Sequence, residues 1–272
     1  MATDRNNLGS GLAAAAALCI LAGPAMAQTP WLLDRGPATA GWMQVQHPLF
    51  KSSSPGITSW LVDFGGRVRL SADAYLLADL PLSITSTSGP ASGGDGVLVG
   101  NPFLGVGFTS PAGLRAEVGV RAPLVGSNAP INSALTGALV NIERLEAYVP
   151  ETWSITADLS LEKHIDPSVR VELGGGPMVA FPKGGGTKPM YMNYRAGLGY
   201  DVSPVRVMAF FSGRWYTNSS GNFGQATVHQ LSFAGTYLAS RVRPTLYVRV
   251  PLDQDLSDFL SLIIGAGVSV GF

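Results

Sequence analysis

The chain has 272 residues, with 18 basic and 18 acidic side chains, a formal net charge of zero, 34 glycines and one cysteine. Charged residues make up 13%, about half the share usual in a soluble domain, and the zero balance without basic runs excludes a nucleic-acid partner. A single cysteine also excludes a disulfide and a cysteine metal site.

The first stretch is a targeting segment. Leu12 to Gly23 is an unbroken apolar run, and Ala25-Met26-Ala27 offers an A-x-A cleavage site before Gln28. The run is shorter than the roughly 20 residues of a membrane helix. Residues 1–27 therefore read as a signal peptide that takes Cys19 with it, and 28–40 as a periplasmic lead-in. Beyond them no apolar run reaches the length of about 18 residues that marks a spanning helix.

From Gly41 onward the chain alternates. Apolar residues recur with a period of two, the strand period, over about twelve segments. They fall at 41–50, 57–70, 74–86, 97–109, 114–125, 153–165, 168–181, 190–202, 205–217, 227–239, 244–252 and 259–272. Short turns such as Ser110-Pro111-Ala112-Gly113 and Ser203-Pro204 alternate with long Gly/Ser/Asn/Pro loops, and every short turn shares a side with both termini. Transmembrane barrels have this asymmetry, whereas a soluble sandwich with crossovers has no reason to keep it. The expected fold is all-β: a closed antiparallel transmembrane barrel of about twelve strands over 41–272.

The last stretch carries the alternation furthest. Leu260, Leu262, Ile264, Ala266, Val268, Val270 and Phe272 occupy one parity, opposite Ser261, Gly265, Gly267, Ser269 and Gly271. This pattern resembles the closing strand of bacterial outer-membrane barrels. The resemblance implies a Gram-negative outer-membrane location, lipid around the barrel, and recognition by the barrel-assembly machinery through the Phe272 strand.

Charges assign the faces. Within each of five strands they share one parity, and an Arg facing the bilayer midplane costs about 2–4 kcal/mol. The expected lumen-lining set is Asp63, Arg67, Arg69, Asp79, Arg115, Glu117, Arg121, Asp158, Glu162, Arg170, Glu172, Arg195, Arg206, Arg214 and Arg249. Arginine outnumbers acid in it. The set either braces the wall or guides anionic and polar solutes. Trp60, Trp153, Trp215 and Tyr194 fall near strand ends on the apolar parity, as an interfacial girdle would; Trp42 falls outside that set and reads as tail.

The 126–152 loop has its own pattern. Leu135, Ala138, Leu139, Ile142, Leu145 and Val149 recur at helical spacing, with Glu143, Arg144 and Glu146 on the other side and Asn132 able to cap. Such a segment either folds into the mouth as a constriction or lies over the rim as a lid.

Enzyme signatures are poor. His47, His164 and His229 are scattered, and none stands in a His-x-Ser arrangement along a strand. Asp253, Asp255, Ser257 and Asp258 hint at a calcium loop that lacks the central Gly and has Ile264 where a Glu belongs. No enzymatic activity, metal or cofactor is expected.

Gly100-Asn-Pro-Phe-Leu-Gly-Val-Gly-Phe108 and Leu114 to Pro123, preceded by Leu77 to Leu82, resemble the G-D-P-x-L-G strand and neighbours of a known family. These are the outer-membrane barrels named for the meta pathway of phenol degradation. Asn101 stands where that motif has Asp. The resemblance implies passage of small organic solutes, aromatic or acidic. The alternatives are a plugged structural or binding barrel and, behind it, a lipid-acting enzyme at the rim.

Overall fold

The computed structural model describes residues 39–51, 56–88, 95–219, 221 and 223–272. The expected signal peptide and all but the end of the lead-in lie outside the described residues. Thirteen strands succeed one another: β1 (Ala40–Phe50), β2 (Gly56–Arg69), β3 (Ala74–Ser88), β4 (Gly96–Val99), β5 (Phe103–Thr109), β6 (Leu114–Arg121), β7 (Thr152–His164), β8 (Val169–Pro182), β9 (Met190–Val202), β10 (Val205–Tyr216), β11 (Thr227–Tyr237), β12 (Val242–Pro251) and β13 (Leu260–Gly271). All neighbours pair antiparallel; β1 meets β13, and β2 with β3 completes the ring. β4 and β5 both pair with β3, one beyond the other, so the wall has twelve strand positions. The fold is a closed twelve-stranded barrel, and closure leaves no sheet edge to be covered.

Two strands depart from expectation. The 97–109 segment is broken at 100–102, because Leu82 faces Val99 while Asp79 faces Phe103, so two residues oppose three. Pro81 stands opposite this bulge and Pro102 within it, and neither has an N–H for the ladder. Gly100 N donates to Pro81 O instead, at 2.8 Å. The 114–125 segment stops as β6 at Arg121, where Ala122-Pro123 turns the chain inward.

The short turns and both ends of the wall lie at one end of the barrel, here the terminal end; the long loops lie at the loop end. One turn shows why glycine is needed: Gly113 has φ +85° and donates its N–H to Ser110 O.

Outward positions are apolar. Phe64, Leu104, Val120, Leu198, Phe233 and Ile264 are exposed around the circumference, a surface that only a bilayer would cover. At the loop end Trp60, Trp153 and Trp215 ring the outside, with His47 stacked on Trp60 at 4.4 Å. Tyr200, Tyr237 and Phe272 do the same at the terminal end. Trp42 is not in a tail: it belongs to β1 and lies buried over Gly65, where a Cβ would stand 2.3 Å from its ring. Leu260 is corrected too. A register shift between Leu49 and Phe50 turns it inward, where it joins Leu61, Leu98 and Ile263.

Inside, rings lie flat on inward glycines. A Cβ at Gly107 would meet the Tyr75 ring at 2.2 Å, at Gly119 the Phe103 ring at 2.2 Å, and at Gly265 the Tyr247 ring at 2.1 Å. Small wall positions thus give the rings room across the neighbouring strand, and the lower interior is filled without apolar layers.

Candidate functional site

Between β6 and β7 the chain leaves the wall and residues 122–151 fold into the barrel. Helix α1 (Ile131–Val140) leads into a 3-10 turn, Ile142–Ala147. α1 starts directly after Pro130, so Asn132 sits inside the first turn and caps nothing. The helix is inverted relative to a soluble one. Ser133, Thr136, Gly137 and Val140 are buried, while Ile131 and Leu135 are 68% and 55% exposed. Polarity of the wall explains this: Thr136 Oγ1 lies 3.0 Å from Thr85 Oγ1 and 3.3 Å from Ser59 Oγ. Gly137 leaves space for the Tyr148 ring, which would stand 2.4 Å from a Cβ there, and the chain doubles back beneath the helix.

That return brings Glu143, Arg144 and Glu146 against the wall, all buried. Arg144 Nη2 lies 2.8 Å from Asp63 Oδ2. Glu146 sits between Arg121 Nε at 3.7 Å and Arg214 Nη2 at 3.1 Å. Glu143 takes Arg249 Nη1 at 3.1 Å, Ser212 Oγ at 3.2 Å and the Gln230 amide. Of the two expected arrangements, the segment adopts the inserted one.

The remaining sites expected from the sequence pair within the wall, most of them nearer the terminal end. Arg195 bridges Asp158, at 2.5 Å, and Glu172, at 2.9 Å. Arg170 reaches Glu162, His164 and Asp201, and Arg206 shares Asp201 at 2.6 Å. Asp79 takes both terminal nitrogens of Arg121, and the Tyr75 hydroxyl donates to Glu117. Arg67 lies over the Tyr75 ring at 5.7 Å, and Arg115 is half-buried on β6. Arg69 is the exception. It is exposed and donates to Ser71 O and Ala72 O, because β2 has reached the rim by that point.

Charge inside is therefore balanced differently from the wall alone. The inserted segment contributes two carboxylates and one guanidinium, so the arginine surplus is cancelled where Arg121, Arg214 and Arg249 meet it. Burial works against the charge on Arg144, but Asp63 and Asp79 outweigh burial and hold its guanidinium above the ordinary range. Burial, reinforced by Asp63, pushes the Tyr148 phenol well up, so it stays neutral.

Two functional positions carry no signature in the sequence. Asn101, fully buried in the bulge, holds both feet of the inserted segment: Nδ2 donates to Glu146 O at 2.9 Å and Val149 O at 2.8 Å, while Oδ1 accepts from Val125 N at 2.9 Å. Only an amide both donates and accepts in this way; a carboxylate would face two carbonyls. The one available signal is an amide between Gly100 and Pro102 in an otherwise apolar strand. The second is His229 on the outer wall at the loop end. Its Nδ1 lies 2.9 Å from Asp253 Oδ1 and its Nε2 2.6 Å from the Tyr194 hydroxyl, with Phe211 stacked on the ring. Asp253 thus serves a histidine rather than calcium. Among the described residues no His/Asp/Glu group is arranged to hold a metal.

No protein-family model matches the chain, and no curated protein does. Solved structures match in shape. The COG4313 outer membrane channel from Pseudomonas putida F1 superposes with a TM-score of 0.63 at 13% identity, covering 91% of this chain and 100% of that one. The fold is that of outer-membrane barrels. The NanC porin gives 0.53 at 8% identity over 85% of this chain and 100% of its own. LpxR from Salmonella typhimurium gives 0.51 at 15% identity over 86% and 100%.

Proposed function

We propose that the protein is a narrow channel in the outer membrane of a Gram-negative bacterium, passing small organic solutes, aromatic or acidic. The observation that carries this is the inserted 3-10 turn, whose Glu143, Arg144 and Glu146 reach across the interior in ion pairs while Ala147 packs with Val140 and Tyr148 in an apolar cluster at the loop end. Twelve strands enclose more space than the eight whose interior side chains nearly fill. A charged bridge narrows that space while leaving its surface polar, which suits small polar solutes. Asp63, Arg121, Arg195 and Arg214, all buried in ion pairs, brace the wall around that space in this reading. Likeness in fold to the COG4313 channel and the NanC porin accords with it.

The terminal end faces the periplasm and the long loops face outward. The assembly machinery grips β13 with its exposed Phe272. The protein is not an enzyme: the acid-oriented His229 meets a phenol, not an aliphatic hydroxyl, and anchors the girdle.

Planar-bilayer recording tests the channel. The wild type should give small, steady conductance steps, enlarged severalfold when the 127–146 stretch is replaced by a short Gly/Ser linker. If neither protein conducts although both fold, the barrel is a plugged one and the reading fails.

A further inference from the structure

On the outer face of β9 to β13, side chains of unequal size leave a groove. Leu198, Phe233, Leu246 and Ile264 stand out from the wall, all exposed. Between them are Ala209, which pairs with Leu198 and Phe233, and Gly235, which pairs with Leu246. A Cβ built on Gly235 would meet no atom within 4 Å. The hollow measures about 730 Å³, within the range of about 300–1,000 Å³ that ligand clefts have, and its lining is almost wholly apolar.

The foot of the groove is polar. Tyr200 and Tyr237, exposed on the same face, stand towards the terminal end, where interfacial tyrosines set their hydroxyls among headgroups. Beyond them Arg241 lies exposed on the turn between β11 and β12. Its side chain has no hydrogen bond or ion pair among the described residues. Asp201, the acid beside the neighbouring turn, is already taken by Arg206 and Arg170. Arg241 stands five residues from Leu246, about 17 Å of extended chain, against about 15 Å for half a hydrocarbon core. A groove near mid-bilayer therefore puts this guanidinium at the headgroups.

We propose that the groove and Arg241 together hold one anionic phospholipid, an acyl chain lying over Ala209 and Gly235 and the phosphate at the guanidinium. The inference takes the membrane around the wall as given and stands whether or not the barrel conducts. Lipid tails are as apolar as the wall, so a bound chain is held by packing rather than by leaving water. A hollow that receives the chain gives it contacts on several sides, where a smooth wall gives them on one. The arginine supplies the preference among lipids. A guanidinium meets phosphate oxygens with paired N–H groups, and a cation at the surface favours negatively charged headgroups. Free phosphate would find only an exposed side chain screened by water and salt, so chain and head must belong to one molecule.

Native mass spectrometry of the full chain released from micelles tests the site with two probes of equal chain length, phosphatidylglycerol and phosphatidylcholine. One phosphatidylglycerol should stay bound in preference to phosphatidylcholine. Arg241→Gln should lower its retention about fivefold, the worth of one cation at a membrane surface, and bring the two lipids level. Gly235→Leu fills the hollow where no atom stands in the way, and it should lower retention of both lipids severalfold. Should that variant not fold, Ala209→Leu on the neighbouring strand makes the same test. Val120→Leu, on the outer face of β6, should change nothing. Equal retention of the two lipids by the wild type overturns the site. So does a folded groove-filling variant that binds like the wild type, which would leave the headgroup contact alone, or an equal loss in Val120→Leu. A dimer in place of the lipid, lost on filling the groove, would seat a second copy there and overturn the proposal as well.

Discussion

Arg121 and Asp79 meet fork to fork, at 2.9 and 3.0 Å, with no solvent reaching either side chain. Arg121 also faces Glu146 and donates to Asn101 O at 2.7 Å, so one guanidinium joins the wall, the bulge and the inserted segment. Removing one partner of a buried pair strands the other charge, at a cost of about 3–5 kcal/mol. Arg121→Met should lower stability by that order in urea unfolding in micelles, and Asp79→Leu added to it should restore part. An additive double variant would show the pair to be uncoupled.

The carboxylates of the inserted turn set the ionic preference. Glu143→Gln with Glu146→Gln leaves Arg121, Arg214 and Arg249 facing amides in a confined interior where water screens poorly. Reversal potentials under a salt gradient should move toward anions relative to the wild type, with larger single-channel steps. An unchanged potential would remove these residues from the path.

Ring-on-glycine packing predicts a sharp contrast between two alanine substitutions. At Gly107 the added methyl would overlap the Tyr75 ring, and overpacking of this kind costs about 1–3 kcal/mol. At Gly126 no atom stands within 4 Å, so Gly126→Ala should stay within about 0.5 kcal/mol of the wild type. The heat-modifiable gel shift of the folded barrel reports both.

The outer wall is tested at mid-height. Phe233, 46% exposed on β11, lies near the centre of its strand. Phe233→Arg should cost about 2–4 kcal/mol on folding into lipid vesicles. The same change at Phe223, outside the strands in a loop-end turn, should cost far less. Equal costs would contradict a bilayer around the wall.

Strands are legible because lipid outside and water inside impose one rule on every second residue, and no tertiary partner overrides it. Parity alone points Asp63, Arg121, Arg195 and Arg214 inward. Where the rule stops, the sequence says less. Leu260 obeys the alternation yet turns inward, because a bulge shifts parity by one and leaves no compositional trace. The helical period of 131–147 is visible, but α1 buries Ser133, Thr136 and Gly137 and exposes Leu135: hydrophobic patterning assumes an apolar surround, whereas α1 meets the hydroxyls of Ser59 and Thr85 beside the apolar cluster around Val140 and Tyr148. Asn101 and His229 act through partners 18 or more positions away, which spacing along one chain does not reveal.

Partners of the inserted turn come from far apart in the chain: Asp63 on β2, Arg121 on β6, Arg214 on β10 and Arg249 on β12. They converge only after the first and last strands have joined. Glu143, Arg144 and Glu146 thus have no reason to leave water while the ring is open, and the turn orders last. This order predicts a stage in which the hoop is complete and its centre empty, wider then than at any later time. Hydrogen exchange during refolding would register that sequence as protection reaching β1 and β13 before residues 142–147.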